Sequence, residues 1–132
     1  MPASEAAVAA FLTGYPPQIA AICQRLRALV AQVAPEAREV LVARHNHIAY
    51  ALSDKPRERI AYICLLREWV RLGFYYGGAL DDPMRLLEGE GKRLRHVKVR
   101  TLEQAAALAP LLAAGWTAGE AARAARRRSQ RR

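Results

Sequence analysis

Asn46-His47-Ile48-Ala49-Tyr50-Ala51-Leu52, followed by Ser53-Asp54-Lys55-Pro56, decides the fold class. Successive side chains of an extended chain point to opposite sides, so Ile48, Tyr50 and Leu52 share one face. Ser53 to Pro56 is turn chemistry, because Ser and Asp side chains bond nearby backbone and Pro presets its φ. Residues 59–66 are apolar on both faces, as in a central strand. Arg67-Glu68 permits a reversal. Residues 69–76 then run back, with Val70, Leu72, Phe74 and Tyr76 alternating against Trp69, Arg71, Gly73 and Tyr75. Connections this short join antiparallel neighbours; a parallel crossover needs roughly a dozen residues or more. Arg95 to Arg100 supplies a last strand, with Val97 and Val99 on one side and His96, Lys98 and Arg100 on the other.

Outward from the sheet, the apolar period changes from two to that of a helix. Ser4 caps a short first helix whose inner face is Val8, Phe11 and Leu12, and Gly14-Tyr15-Pro16-Pro17 ends it. Ile19, Ile22, Leu26, Leu29, Val30 and Val33 predict a longer helix over 17–34, with Pro17 in its first turn and Pro35 at its stop. Residues 77–94 read as a long loop. Thr101 with Gln104, and Thr117 with Glu120, are two capping boxes that predict two C-terminal helices separated by Gly115-Trp116. The expected fold is α+β, an antiparallel sheet of four or five strands with N- and C-terminal helices packed on it. Residues 1–116 form the domain, and residues 117–132 a C-terminal helix and basic tail. The end of that tail is expected to fray, and the chain after about residue 122 to be dispensable for folding.

The net charge of +9 is unevenly placed. Six of the 21 basic residues fall in 123–132, a stretch without an acid, which leaves the first 122 residues at about +3. The tail is therefore the expected place for non-specific nucleic-acid contact through counterion release. Cys23 and Cys64 are far apart in apolar surroundings, with no CxxC pair to suggest zinc or redox chemistry. Glu5 stands where a signal peptide carries positive charge, and no run approaches the ~20 apolar residues that span a bilayer. The expected compartment is the cytoplasm, with no membrane contact.

The motifs exclude more chemistry than they support. Leu87-Glu88-Gly89-Glu90-Gly91-Lys92 resembles the end of a phosphate loop. It has Leu86 in place of the first glycine and Arg93 in place of Ser or Thr after the lysine, so nucleotide hydrolysis is not expected. The serines Ser4, Ser53 and Ser129 include no nucleophile elbow. Asp81-Asp82 before Pro83 reads as a solvated turn. His45 and His47 share a face if both are on a strand, but His96 is the one other histidine, too little for a closed metal site. Trp69, Tyr75 and Tyr76 lie on or after one strand; beside arginines they could hold bases as sheet-type RNA binders do, or they could simply pack.

One segment does suggest a ligand. Lys92, Arg93, Arg95, His96, Lys98 and Arg100 crowd beside Gly89 and Gly91. Backbone N–H groups next to such charges make anion sites. The candidate residues are Glu88, Gly89, Gly91, Lys92, Arg95 and His96, with Tyr75 and Trp69 as an apolar floor. Lys92 and Arg95 would hold the anion, His96 add a donor, Gly89 and Gly91 allow close backbone approach, and Glu88 orient a basic neighbour. In the structural alternative, Glu88 and Arg95 only pin the loop to the sheet.

Leu72-Gly73-Phe74-Tyr75-Tyr76-Gly77-Gly78-Ala79-Leu80, Asp82-Pro83, Leu87 to Lys92 and Arg95-His96-Val97 together resemble the central signature of the bacterial YdhG-like domain of unknown function. The resemblance covers about residues 5–115 and leaves out the stretch from 117 to 132. It implies a compact α+β domain with helices on an antiparallel sheet and no settled activity. One branch of that family is described as a frataxin-like iron chaperone. Such iron binding needs clustered carboxylates, and this chain has Glu5 alone in its first helix and none within 17–34. The sequence therefore favours a non-enzymatic binding module for a small anionic ligand, with no cofactor. The iron chaperone is the alternative, and an enzyme without an identifiable nucleophile comes third.

Overall fold

Pro17 opens one of the two long helices that cover the sheet. The structure is a computed structural model describing residues 2–131. Helix α1 spans Glu5–Leu12, and Ser4 Oγ accepts from Ala7 N at 3.3 Å as its cap. Helix α2 spans Pro17–Val33 and buries Ile19, Ile22, Cys23, Leu26, Leu29 and Val30 along one stripe. Five strands follow: β1 Arg38–Val42, β2 His47–Ala51, β3 Arg59–Leu65, β4 Val70–Phe74 and β5 Arg95–Val99. Helix α3 is Leu102–Ala106, with Thr101 Oγ1 accepting from Gln104 N at 3.1 Å. Helix α4 is Ala109–Gln130.

The sheet is an antiparallel meander in the order β1-β2-β3-β4-β5. Ile48, Ile63, Leu65, Val70, Leu72, Phe74, Val97 and Val99 are buried on the face toward the helices. The register slips between Tyr50 and Ala51, so Tyr50 faces Ala61 while Ala51 faces Arg59. Ile60 is the extra residue. This bulge lets Ile60 and Ala61 both be buried, although they are neighbours in the chain.

Strand β1, which the sequence reading did not identify, is an edge strand that carries a carboxylate as well as Leu41 on its core face. Glu39 pairs with Tyr50 on the core side. Its carboxylate accepts from Arg27 Nε at 2.9 Å, Arg27 Nη2 at 2.7 Å, Tyr50 Oη at 2.6 Å and the backbone N of Ala3 at 3.0 Å. Arg27 also donates to Gln24 Oε1 at 2.9 Å and pairs with the exposed Glu5 at 3.1 Å. Burial pushes the Glu39 carboxyl up, but the bonds from Arg27, Tyr50 and Ala3 outweigh it and hold the group below the usual carboxylate range.

The expected break at Gly115-Trp116 does not occur. Helix α4 runs through it, and Thr117 lies in its interior rather than at a cap. A Cβ on Gly115 would fall 2.4 Å from the Phe74 ring, and one on Gly119 would fall 2.5 Å from Ile60. The two glycines therefore let the helix lie close on the sheet. Trp116 is buried between them and donates Nε1 to Glu36 Oε1 at 2.9 Å. Tertiary packing here overrides the local propensity of glycine.

Helix α4 continues to Gln130. Arg123 Nε lies 3.0 Å from Glu58 Oε2, and Arg126 bonds the Tyr76 hydroxyl. Arg127 and Arg128 are exposed. Deleting residues 127–132 should thus shift the melting temperature by no more than ~2 °C, since exposed charges contribute little. Truncation before Arg123 should cost measurably more, on the order of 1 kcal/mol. Paired thermal melts of the two truncations check this.

Cys23 is a buried free thiol pushed up to about 12 by burial, and Cys64 is a half-buried one. Cys23 therefore acts as a small apolar side chain. Among the described residues, no helix is long and apolar enough to cross a membrane.

Candidate functional site

The helices cover one face of the sheet, and the other face carries most of the unusual side chains. Residues directly opposite each other on antiparallel strands share a face. Cys64 opposes His47 and Arg71, and Arg71 opposes Lys98. Tyr62 opposes Ala49 and Gly73, and Gly73 opposes His96. The open face is thus assembled from alternate residues of four strands, β2 to β5.

Gly73 is required at its position. A Cβ there would fall 2.0 Å from Tyr62 Cζ, so the Tyr62 ring lies over the glycine. The ring meets His47 at 5.9 Å on one side and Tyr75 at 5.6 Å on the other. His45, in the short turn before β2, extends the row at 5.9 Å from His47. Four rings therefore form a ridge across the strand direction.

Beside the ridge lies a cationic strip. Lys98 Nζ sits 5.0 Å above the Trp69 ring, and the Arg100 guanidinium sits 5.3 Å from it. Such contacts hold the cations in place by attraction to the ring quadrupole. Glu88 pairs with His96 through backbone bonds of 2.7 and 3.0 Å, which adds one bridge to the edge of β5. Its carboxylate lies 3.5 Å from Lys98 Nζ. His47 Nε2, Trp69 Nε1 and Arg71 Nε are buried without a hydrogen-bond partner. Burial lowers the His96 imidazole below its ordinary value, and Arg71 and Lys98 lower it further against the pull of Glu88. Burial likewise lowers His47.

The residues expected from sequence divide between two sides of the sheet. Trp69, Tyr75, Glu88 and His96 belong to the open face. Arg95 opposes Phe74 and so faces the helical side, packed on Gly77. Its Nη1 donates to the carbonyls of Gly91 and Leu94, which closes the loop on itself. Lys92 is exposed and lines a cleft with Tyr76, Gly78, Arg93 and Arg126. Gly89 has φ 125°, a conformation that favours glycine, and Gly91 gives its carbonyl to Arg95. The basic residue that lies against Glu88 is Lys98.

Asp82 is a structural residue of the same loop, its carboxylate accepting from Leu86 N at 3.0 Å and Leu87 N at 2.8 Å. Sequence reasoning left His47, Tyr62 and Arg71 out of the site. Their signal was present in the alternation of each strand, and it needed the register to join them. Among the described residues, no three His, Cys, Asp or Glu side chains gather as a metal site would require. Comparison of the chain with family models, curated proteins and solved structures gives no match.

Proposed function

We propose that this protein is a non-enzymatic module that binds a small anionic ligand on the open face of its sheet. The observation that carries the reading is the cationic strip of Arg71, His96, Lys98 and Arg100 on an aromatic floor. Lys98 and Arg100 are pre-positioned over Trp69, so less side-chain freedom is lost when an anion arrives. Glu88 orients Lys98. Arg71 offers a planar fork for a phosphate or carboxylate, and Lys98 acts as a point charge. On this reading the YdhG-like signature is chiefly scaffold: Gly89, Gly91 and Arg95 shape the loop that delivers Glu88.

The test is a calorimetric titration with inorganic phosphate, simple dicarboxylates and mononucleotides. Lys98→Met with Arg100→Met should weaken the best binder by at least roughly tenfold, because hydrogen bonds to charged groups are the strong ones. Lys92→Met should leave it unchanged. The reverse pattern would place the site in the Lys92 cleft and reject this reading.

Binding should also tighten as the pH falls below the ordinary imidazole value of 6.5. His96 is held neutral at pH 7 by its lowered pKa, and it becomes a cation only at lower pH. A titration at pH 7.5 and at pH 5.5 measures the gain, and His96→Gln should remove it.

A further inference from the structure

We infer that the anion taken by the open face is a single strand of nucleic acid. Its bases would stack on the His47–Tyr62–Tyr75 ridge and its phosphates lie along Arg71, Lys98 and Arg100. This rests on the open-face reading above and names the class of ligand. A small inorganic anion needs the cations but has no use for the ridge. The ridge runs over β2, β3 and the residue that follows β4, with ring centroids 5.9 and 5.6 Å apart and ring planes inclined at 50° and 69°, so that bases would seat on individual rings. Neighbouring strands lie about 4.8 Å apart, so the rings follow one another at about the strand spacing. Bases of any sequence have a π-face, and a row of rings beside a cationic strip is the arrangement that binds single strands without base readout.

Charge and hydrogen bonding point the same way. The face offers donors: Trp69 Nε1 and Arg71 Nε lack acceptors. Phosphate and base carbonyl oxygens are acceptors. Glu88 is the carboxylate beside the strip, and it is engaged with Lys98. The chain as a whole carries +9 and ends in an arginine-rich helix, which raises the encounter rate with a polyanion. Duplex DNA fits less well, because stacked and paired bases cannot reach the rings.

The experiment uses the full chain and three probes: fluorescein-labelled oligo-dT of twelve nucleotides, inorganic polyphosphate, and vesicles of phosphatidylserine in phosphatidylcholine. Tyr75→Ala and Tyr62→Leu should each weaken oligo-dT binding by roughly tenfold in anisotropy titrations. Both should leave polyphosphate affinity unchanged. Lys98→Met with Arg100→Met should weaken both probes.

Aromatic variants that leave oligo-dT binding intact, while Lys98 and Arg100 still control polyphosphate, would overturn this inference and spare the reading beneath it. Binding of every probe that ignores Lys98 and Arg100 would overturn both. Binding to the vesicles in preference to oligo-dT would overturn the nucleic-acid assignment in favour of a lipid surface. If either aromatic variant unfolds, photocross-linking of bromodeoxyuridine oligonucleotide to the wild-type chain decides. Cross-links within residues 59–76 support the ridge, and cross-links confined to residues 92–93 or α4 overturn it.

Discussion

Replacing Glu39 with Ala is expected to cost about 3–5 kcal/mol, because it strands a buried guanidinium. Glu39 is the hub of four bonds, and its side chain is 8% exposed, as is that of Arg27. After the substitution Arg27 keeps only Gln24 and the exposed Glu5, while the Tyr50 hydroxyl and Ala3 N–H lose their acceptor. For a chain of this length the loss is a fall in melting temperature on the order of 10–20 °C. The informative control is the double variant Arg27→Met with Glu39→Met. Removing both charges should restore much of the loss, since an isolated buried charge is costlier than a buried apolar pair. A single Glu39→Ala loss under about 1 kcal/mol would mean that the network is hydrated and open.

The same carboxylate sets a pH dependence. Its pKa is lower in the folded protein than in the unfolded chain. Its contribution is therefore complete above the ordinary carboxylate value of 4.5 and is lost as pH falls through the lower folded value. Wild-type stability should drop along that acid limb, and Glu39→Gln should flatten it. Urea melts between pH 6 and pH 2.5 compare the two.

Trp116→Ala is the second large effect, about 3–5 kcal/mol. Trp116 is 3% exposed and lies one residue beyond Gly115, which touches Phe74. Truncation leaves a cavity between α4 and the core, and the neighbouring glycines have no side chains with which to fill it. Trp116→Phe should cost much less, about 1–2 kcal/mol, because it keeps a ring and the exposed Glu36 carboxylate can return to water. Urea unfolding of both variants gives the comparison. A small effect of Trp116→Ala would make everything after residue 116 an appendage, and a large one makes α4 part of the same cooperative unit.

Strands β2 and β4 were legible because apolar and other residues alternate along them, and β3 because its short apolar run is bounded by turn residues. Strand β1 was not, since Glu39 occupies a core position where the period calls for an apolar residue. Arg27, twelve residues earlier on another element, makes that placement tolerable together with Tyr50 and Ala3. The Gly115-Trp116 pair reads as a break by composition, but the glycine is there for steric reasons that appear once Phe74 is opposite it.

The site was half legible for a related reason. A basic run such as Lys92 to Arg100 looks like one cluster along the chain. On a strand, neighbours point to opposite sides, so Arg95 and His96 part company. His96 instead faces Gly73 and Arg71 of β4, through a pairing that only the register specifies.

Sequential strand order has a consequence for the time course of folding. Strands β1 to β4 find their partners close by in the chain and can pair as successive hairpins with little loop entropy to overcome, whereas β5 joins across the long loop that follows β4. The helical layer depends on distant pairs: Trp116 reaches Glu36 across 80 positions, and Gln18 reaches the Arg100 carbonyl across 82. A nascent sheet therefore waits for its cover with Ile60, Leu72 and Phe74 uncovered, the condition in which chains associate wrongly. An undocked α4 carries its arginines through that interval, and like-charge repulsion between chains keeps the unfinished sheets apart.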